Sequence, residues 1–310
     1  MDCSIFQSKE WEEFKLKSGY EKSYRIQDIL VLQKKLPFGR TMLYSPLVAE
    51  KNYESRIMNQ EFIRQIEQIS KKNNAIFYRL ELNIPIIHDS KFIIPESFIK
   101  SFEEMQPEHN WVLDITKSED EILAGMKQKG RYNIKIAQNS NLTFTSSAAK
   151  ESQELDAFYE QYAKTGNRHK IAFRNKKYFD DLLEILGGKG YARACTVWHG
   201  KTPLASAIII QYGEASLYLY GGSSDEERNL MAPYLLHWEI IKSAKTEGLK
   251  EYNFLGIAPD DNQNHPWAGI TRFKKQFGGE QVNIEGSYDL PVKPLEYKVF
   301  KIAEQIRRPH

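Results

Sequence analysis

"YARACTVWHGKTPLASAIIIQYGEASLYLYGGS", residues 191–223, decides how this chain folds. Three runs rich in β-branched and aromatic residues (191–200, 202–213 and 215–223) are separated only by short turns at Gly200 and Gly213. Runs spaced so closely join as hairpins, so the segment predicts an antiparallel meander of three strands. Toward the C-terminus, "APYLLHWEIIKSAKTEGL" (232–249) predicts a helix closed by Gly248, and "KEYNFLG" (250–256) a strand after it. Toward the N-terminus, "NWVLDIT" (110–116) alternates as a strand. Ser118 and Glu121 form a capping box for one long helix over 119–138. Two more helices are expected in "ESQELDAFYEQYAKTGNRH" (151–169) and "NKKYFDDLLEIL" (175–186).

The first part of the chain mixes strands and helices in the same way. "EKSYRIQDILVLQKKL" (21–36) and "GRTMLYSPLVAE" (39–50) predict strands, the second ending at Pro46. "YESRIMNQEFIRQIEQISKKNNA" (53–75) has helical spacing, "IFYRLEL" (76–82) is a strand, and "ESFIKSFEEM" (96–105) a short helix after Pro95. "KPLEYKVFKIAEQIRR" (293–308) reads as an amphipathic helix. The order of elements after residue 110 is that of the GNAT acyltransferase fold, and the first part is a shorter echo of it. The expected class is therefore α+β, with two GNAT-like domains.

The 310 residues give room for two such domains. A net charge of +2 advertises no polyanion partner for the whole surface, so any such contact must come from local patches. Cys3 and Cys195 stand apart, which fits a reducing compartment, and the seven histidines lack metal-ligand spacing. The start "MDCSIFQSKEW" lacks a basic-then-apolar leader, and no run reaches the ~18 apolar residues of a membrane span. The expectation is a cytoplasmic monomer without metal, with room for peripheral membrane contact.

Four segments carry residues suited to chemistry. In "MKQKGRYNIKIAQ" (126–138), Lys127, Lys129, Arg131 and Lys135 form a cationic group, with Arg131 and Lys135 on one helical face. That face suits phosphates, or is simply solvated. "NRHKIAFRNKKYF" (167–179) interleaves Arg168, His169, Lys170, Arg174, Lys176 and Lys177 with Phe173 and Tyr178, a combination suited to a phosphate beside a ring. "SLYLYGGSSDEERNLMAPYLLHW" (216–238) holds Tyr218, Tyr220 and a Gly-Gly turn before a helix. Acetyltransferases of the GNAT type place a glycine-rich pyrophosphate cradle here. This chain has "ERNLMAPY", with no glycine and with Pro233 removing an N–H. Finally, "HPWAGITRFKKQFGG" (265–279) predicts a short helix with Ile270, Phe273 and Phe277 on its apolar face and Gly278 as its stop. Lys274 and Lys275 there either complement the helix C-terminus or, for Lys274 at the margin of the apolar face, enter a cleft.

Together these segments resemble the Fem family (FemA, FemB and FemX), peptidyltransferases that build peptidoglycan cross-bridges from aminoacyl-tRNA. The resemblance is strongest in "APYLLHWEIIKSAKTEGLKEYNFLGI" and "HPWAGITRFKKQFGGEQVNIEGSYDL", with support from "MKQKGRYNIKIAQ". It implies domains of 1–109 and 110–286, with 287–310 packing back on the first. It implies amide formation on the stem peptide of UDP-MurNAc-pentapeptide or its lipid-linked form, with no metal or redox cofactor. Lys274 matches the lysine of the family's Arg-Phe-Lys motif, where it stabilises the oxyanion or a tRNA phosphate, with Phe273 holding it. Lys15, four residues after Trp11, and Arg174 with Tyr178 match the family's grip on the muropeptide diphosphate, with Tyr220 as a weaker addition. The long helical hairpin of FemA-like members is absent. No general base stands out, although Asp261 and His265 lie near Lys274 in sequence. Two other readings stand beside this one: a GNAT-like N-acyltransferase using acyl-CoA or another donor, and a non-catalytic RNA-binding module.

Overall fold

A computed structural model describes residues 4–49, 60–86, 94–169, 173–260 and 262–307. In chain order the elements of the first part are α1 (Lys9–Lys17), β1 (Lys22–Ile26), β2 (Ile29–Leu36), β3 (Arg40–Ala49), α2 (Gln60–Lys72), β4 (Ala75–Pro85) and β5 (Ile99–Lys100). There follow β6 (His109–Asp114), α3 (Glu119–Gly125), α4 (Gln128–Gln138), β7 (Leu142–Ser147), α5 (Gln153–His169) and α6 (Lys176–Ile185). The last part holds β8 (Ala192–His199), β9 (Thr202–Tyr212), β10 (Ala215–Ser223), α7 (Ala232–Thr246), β11 (Glu251–Gly256), α8 (Ala268–Lys274), β12 (Glu280–Pro291) and α9 (Pro294–Arg307).

Chain contacts divide the molecule into two units, residues 1–108 with 283–310, and residues 109–282. In the first, β1, β2 and β3 form an antiparallel meander. β3 then pairs with β4 in parallel, β4 with β12 antiparallel, and β12 with β5. Leu43, Phe62, Ile66, Tyr78 and Leu80 fill the core between this sheet and α2. Arg79 and Asp289, both fully buried, form a bidentate pair at 2.7 and 2.9 Å, and the Tyr297 hydroxyl donates to Asp289 at 2.7 Å. That pair ties α9 to β4 and β12.

In the second unit, β8 to β10 form the antiparallel meander that the opening stretch predicts, and β7, which the residue pattern did not announce, pairs antiparallel with β8. β10 pairs with β11 in parallel, and β11 with β6 antiparallel. Trp238, Ile240 and Ile241 of α7 pack with Tyr252, Phe254 and Phe277 in the core.

Local expectations differ at four places. β3 passes through Pro46 to Ala49, because its register shifts between Ser45 and Val48 and the proline needs no ladder bond there. Residues 96–105 form no helix. Phe98 is drawn into the core, and Ile99 and Lys100 pair with Asp289 and Tyr288. The helix expected over 119–138 breaks at Met126 and Lys127, both extended, where the Lys127 N–H donates to the Gln276 carbonyl at 3.1 Å. Gly221 and Gly222 lie inside β10 rather than in a turn. A Cβ on Gly222 would stand 2.5 Å from the Gln161 backbone, so the pair lets α5 lie against the strand. Of the segment 53–75, residues 53–59 lie outside the described residues, as do Lys170 and Asp261.

Candidate active site

The second unit's sheet opens where β10 and β11 part. Their pairing ends at Leu217 and Asn253. Two irregularities cause this: a bulge in β10 between Tyr218 and Tyr220, and a shift in β11 between Asn253 and Gly256, with Leu255 at φ 56°. Strand alternation would place Tyr218 and Tyr220 on one face. The bulge sends them to opposite faces: Tyr218 meets His237 of α7 at 4.6 Å, and Tyr220 meets Phe179 of α6 at 5.1 Å. Backbone groups released by the split need new partners.

One such group, the Gly256 carbonyl, accepts a hydrogen bond from Lys274 Nζ at 2.5 Å. Lys274 is 6% exposed, so it lies on the buried face of α8 rather than at its margin. No carboxylate pairs with it among the described residues, and the Tyr218 ring centroid is 6.0 Å from Nζ. Burial holds its pKa down to about 7. The helix itself departs from the expected pattern. Ile270 is exposed, while Ala268 and Thr271 are buried, and the Thr271 hydroxyl accepts from the Ala258 N–H at 2.8 Å. Phe273 packs on Tyr234, His237 and Phe277 and does not clamp Lys274. A 3-10 turn, Lys275–Phe277, ends at Gly278 with φ 76°. Lys275 stacks over Trp111 at 5.4 Å.

His237 sits beside this lysine. It is buried, and burial with the neighbouring Lys274 charge pushes its pKa down to about 3, so the imidazole is neutral. Its Nδ1 lies 2.8 Å from the hydroxyl of fully buried Tyr252. A buried hydroxyl proton without an acceptor is costly, so Tyr252 donates to Nδ1 and the imidazole proton rests on Nε2. His237, Tyr218, Phe273 and Ile270 line one side of a cavity of about 360 Å³. Its other side is Asp225 to Arg228 and the start of α7. That helix start carries no side-chain cap and has a proline in its first turn. Asp225 takes ion pairs from Arg168 and Arg228, so carboxylates stand where a pyrophosphate cradle would need donors.

The basic loop after α5 separates into structural and open cations. Lys176 pairs with Asp156 and Asp180, and Lys177 with Asp181. The Arg174 guanidinium lies over the Tyr178 ring at 5.0 Å, and the Tyr178 and Tyr220 hydroxyls meet at 3.2 Å. Arg174, Tyr178 and Tyr220 thus come together, on the sheet face opposite Tyr218. In the first unit, Lys15 is buried, its amine 5.1–5.5 Å from the rings of Trp11, Phe14 and Tyr20. Lys127, Lys129, Arg131 and Lys135 are exposed along α4, and Arg131 turns back to the Ala124 and Met126 carbonyls. That helix is joined to the lysine-bearing segment through its backbone: a Cβ on Gly130 would stand 2.5 Å from the Gln276 carbonyl. His265 serves α8, its Nδ1 accepting from the Trp267 N–H at 3.0 Å.

A sequence profile of the FemAB family matches residues 96–195 and 192–305. The chain belongs to the FemAB family. Among relatives of this FemAB protein, aminoacyltransferase FemB of Staphylococcus epidermidis is 31% identical over 104 residues, 34% of this chain and 25% of FemB. Aminoacyltransferase FemA of Staphylococcus epidermidis is 20% identical over 255 residues, 80% of this chain and 60% of FemA. The chain therefore spans a quarter to three fifths of the curated relatives it matches. A crystal structure of FemX superposes with a TM-score of 0.82 at 18% identity, covering 96% of this chain and 94% of that one. That likeness concerns the fold.

One residue of this FemAB site escapes the motif reading. His237 stood in plain view as the lone polar residue of "YLLHW", within an otherwise apolar stretch of helix. Tyr218 and Tyr220 stand together in the segment 216–238, and only the bulge separates the faces they occupy.

Proposed function

We propose that this chain is an aminoacyltransferase that moves an amino acid from aminoacyl-tRNA to the stem-peptide amine of a peptidoglycan precursor. The observation that carries this reading is Lys274, a buried amine bonded to a carbonyl and left without a carboxylate among the described residues. A protein does not bury such a group for stability. The site is short of negative charge and gains by receiving some.

The reaction supplies that charge. The acceptor amine attacks the ester carbonyl carbon, and the carbonyl oxygen becomes an oxyanion. Lys274, protonated, stabilises that oxyanion or a phosphate of the tRNA end. The attack forms the C–N bond; collapse restores the C=O bond, breaks the C–O bond to the ribose and leaves the ribose hydroxyl holding a proton originally on the amine. Neutral His237 lines the cavity without adding charge of its own. Arg174, Tyr178 and Tyr220 are assigned to the precursor's diphosphate and base. Lys15, in the first unit, is assigned to the same chemical class of anion. The cations of α4 are assigned to tRNA phosphates.

The missing glycines, the proline in the first turn of α7 and the acidic turn of Asp225, Glu226 and Glu227 before it, with Asp225 matched by Arg168 and Arg228, argue against acyl-CoA as donor. The test mixes charged tRNA pools with UDP-MurNAc-pentapeptide or its lipid-linked form and reads product masses. A single aminoacyl addition supports the proposal, and Lys274→Met should cut its rate about a hundredfold or more. No product with any pool and either the soluble or the lipid-linked acceptor, or specific acetyl-CoA binding by calorimetry, overturns it.

A further inference from the structure

The C-terminal helix α9 turns its aliphatic residues outward. Tyr297 is buried and Phe300 packs on Phe77, so these two hold the helix to its unit. Leu295, Val299, Ile302 and Ile306 are 79%, 68%, 57% and 76% exposed. Their spacings of four, three and four put them on one stripe, about 16 Å long at the helical rise.

A second feature adjoins it. The β2–β3 hairpin ends in "KKLPFGR" (34–40), where Phe38 is 99% exposed. Phe38 and Gly39 both adopt left-handed backbone, φ 58° and 67°, so the turn holds the ring outward at a steric cost. The turn and the helix are tied together. Asn74 donates to the Gly39 carbonyl at 2.9 Å and accepts from Lys293, while Arg40 pairs with Glu296.

Cations surround this apolar surface. Lys34 and Lys35 precede Phe38, Lys71 and Lys72 end α2 beside Asn74, and Lys298, Lys301 and Arg307 follow the stripe. Glu21, Glu296 and Glu304 pair with Lys35, Arg40 and Arg307, so the excess positive charge of the face rests on the other lysines. A second copy of the chain laid on this surface would bring like charges together. An anionic lipid surface accepts both components, aliphatic side chains below the headgroups and lysines among them.

We propose that α9 and the β2–β3 turn form a face that docks on an anionic membrane surface. The docking does not depend on the transfer chemistry proposed above. No helix among the described residues is long and apolar enough to cross a membrane, so the contact is peripheral.

The test floats the full chain with vesicles of phosphatidylcholine alone and of phosphatidylcholine with phosphatidylglycerol. The wild type should float with the anionic vesicles and not the neutral ones, and added salt should weaken the association. The Val299→Asp/Ile302→Asp double variant should partition about tenfold less or weaker still, and Phe38→Ser should weaken it further. Melting curves and transfer to soluble precursor should stay unchanged. No flotation, or flotation unaltered by the double variant, overturns the proposal. So does a double variant that melts well below the wild type, which would mean the stripe packs on the chain itself. A wild-type dimer that the double variant abolishes in sedimentation equilibrium would assign the face to a second copy.

Discussion

Replacing Lys274 by methionine should stabilise the protein while destroying transfer. The amine's pKa falls from its ordinary 10.5 to about 7 on folding. At 1.36 kcal/mol per pH unit, that shift corresponds to about 5 kcal/mol of differential interaction. The sign follows from where the proton is. Between pH 7 and 10.5 the unfolded chain holds a proton that the native site releases, so stability rises with pH across that window. Below pH 7 both states are charged, and the native one carries the full burial penalty. Methionine has similar length, no charge and no need of the Gly256 carbonyl. Its loss of that hydrogen bond offsets about 1–3 kcal/mol of the gain. Urea unfolding at pH 6 should therefore show the variant more stable by roughly 2–4 kcal/mol, with the difference shrinking toward pH 10. A variant that is less stable at pH 6, or a difference that ignores pH, would refute the reasoning.

Three further expectations follow from close contacts. Gly130→Ala should destabilise by about 1–3 kcal/mol in thermal melts, because the new Cβ meets the Gln276 carbonyl at 2.5 Å; a gain near the ~1 kcal/mol of helix propensity would show that the approach is not tight. Asp289→Asn leaves the Arg79 guanidinium short of its buried partner and should cost about 3–5 kcal/mol by urea unfolding. Tyr178→Phe removes the hydroxyl facing Tyr220 and should raise KM for the precursor about tenfold while leaving kcat within about twofold; an equal loss in kcat would take Tyr178 out of ground-state binding.

The sequence carried β8 to β10 of the second unit because their runs are rich in β-branched and aromatic residues and their turns are short, whereas β7 went unannounced. It carried the capping box at Ser118 for the same reason: both halves are local, and both bonds form. What it did not carry is set by distant parts of the chain. The helical period runs unbroken through Met126 and Lys127, and only the Gln276 carbonyl, far along the chain, explains the break there. The strand at Ile99 depends on Tyr288 and Asp289. Burial of Lys274 follows from the split between β10 and β11, which arises in bulges that residue patterns do not mark. The amphipathic pattern of 293–308 does not say which residues face the unit; Tyr297 and Phe300 do, and Ile302 is exposed.

Burial lowers the pKa of Lys274 to about 7, so the amine titrates near neutral pH and the resting protein holds both its charged and its neutral form there. A ligand that places negative charge beside Lys274 favours one of them, so its binding draws a proton from solution. The heat of binding then includes the ionisation heat of whatever buffer gives up that proton. Titrations in phosphate and in Tris would differ in heat by the proton fraction taken up times the difference in the buffers' ionisation enthalpies, and that fraction reports the charge state of Lys274 before the ligand arrives.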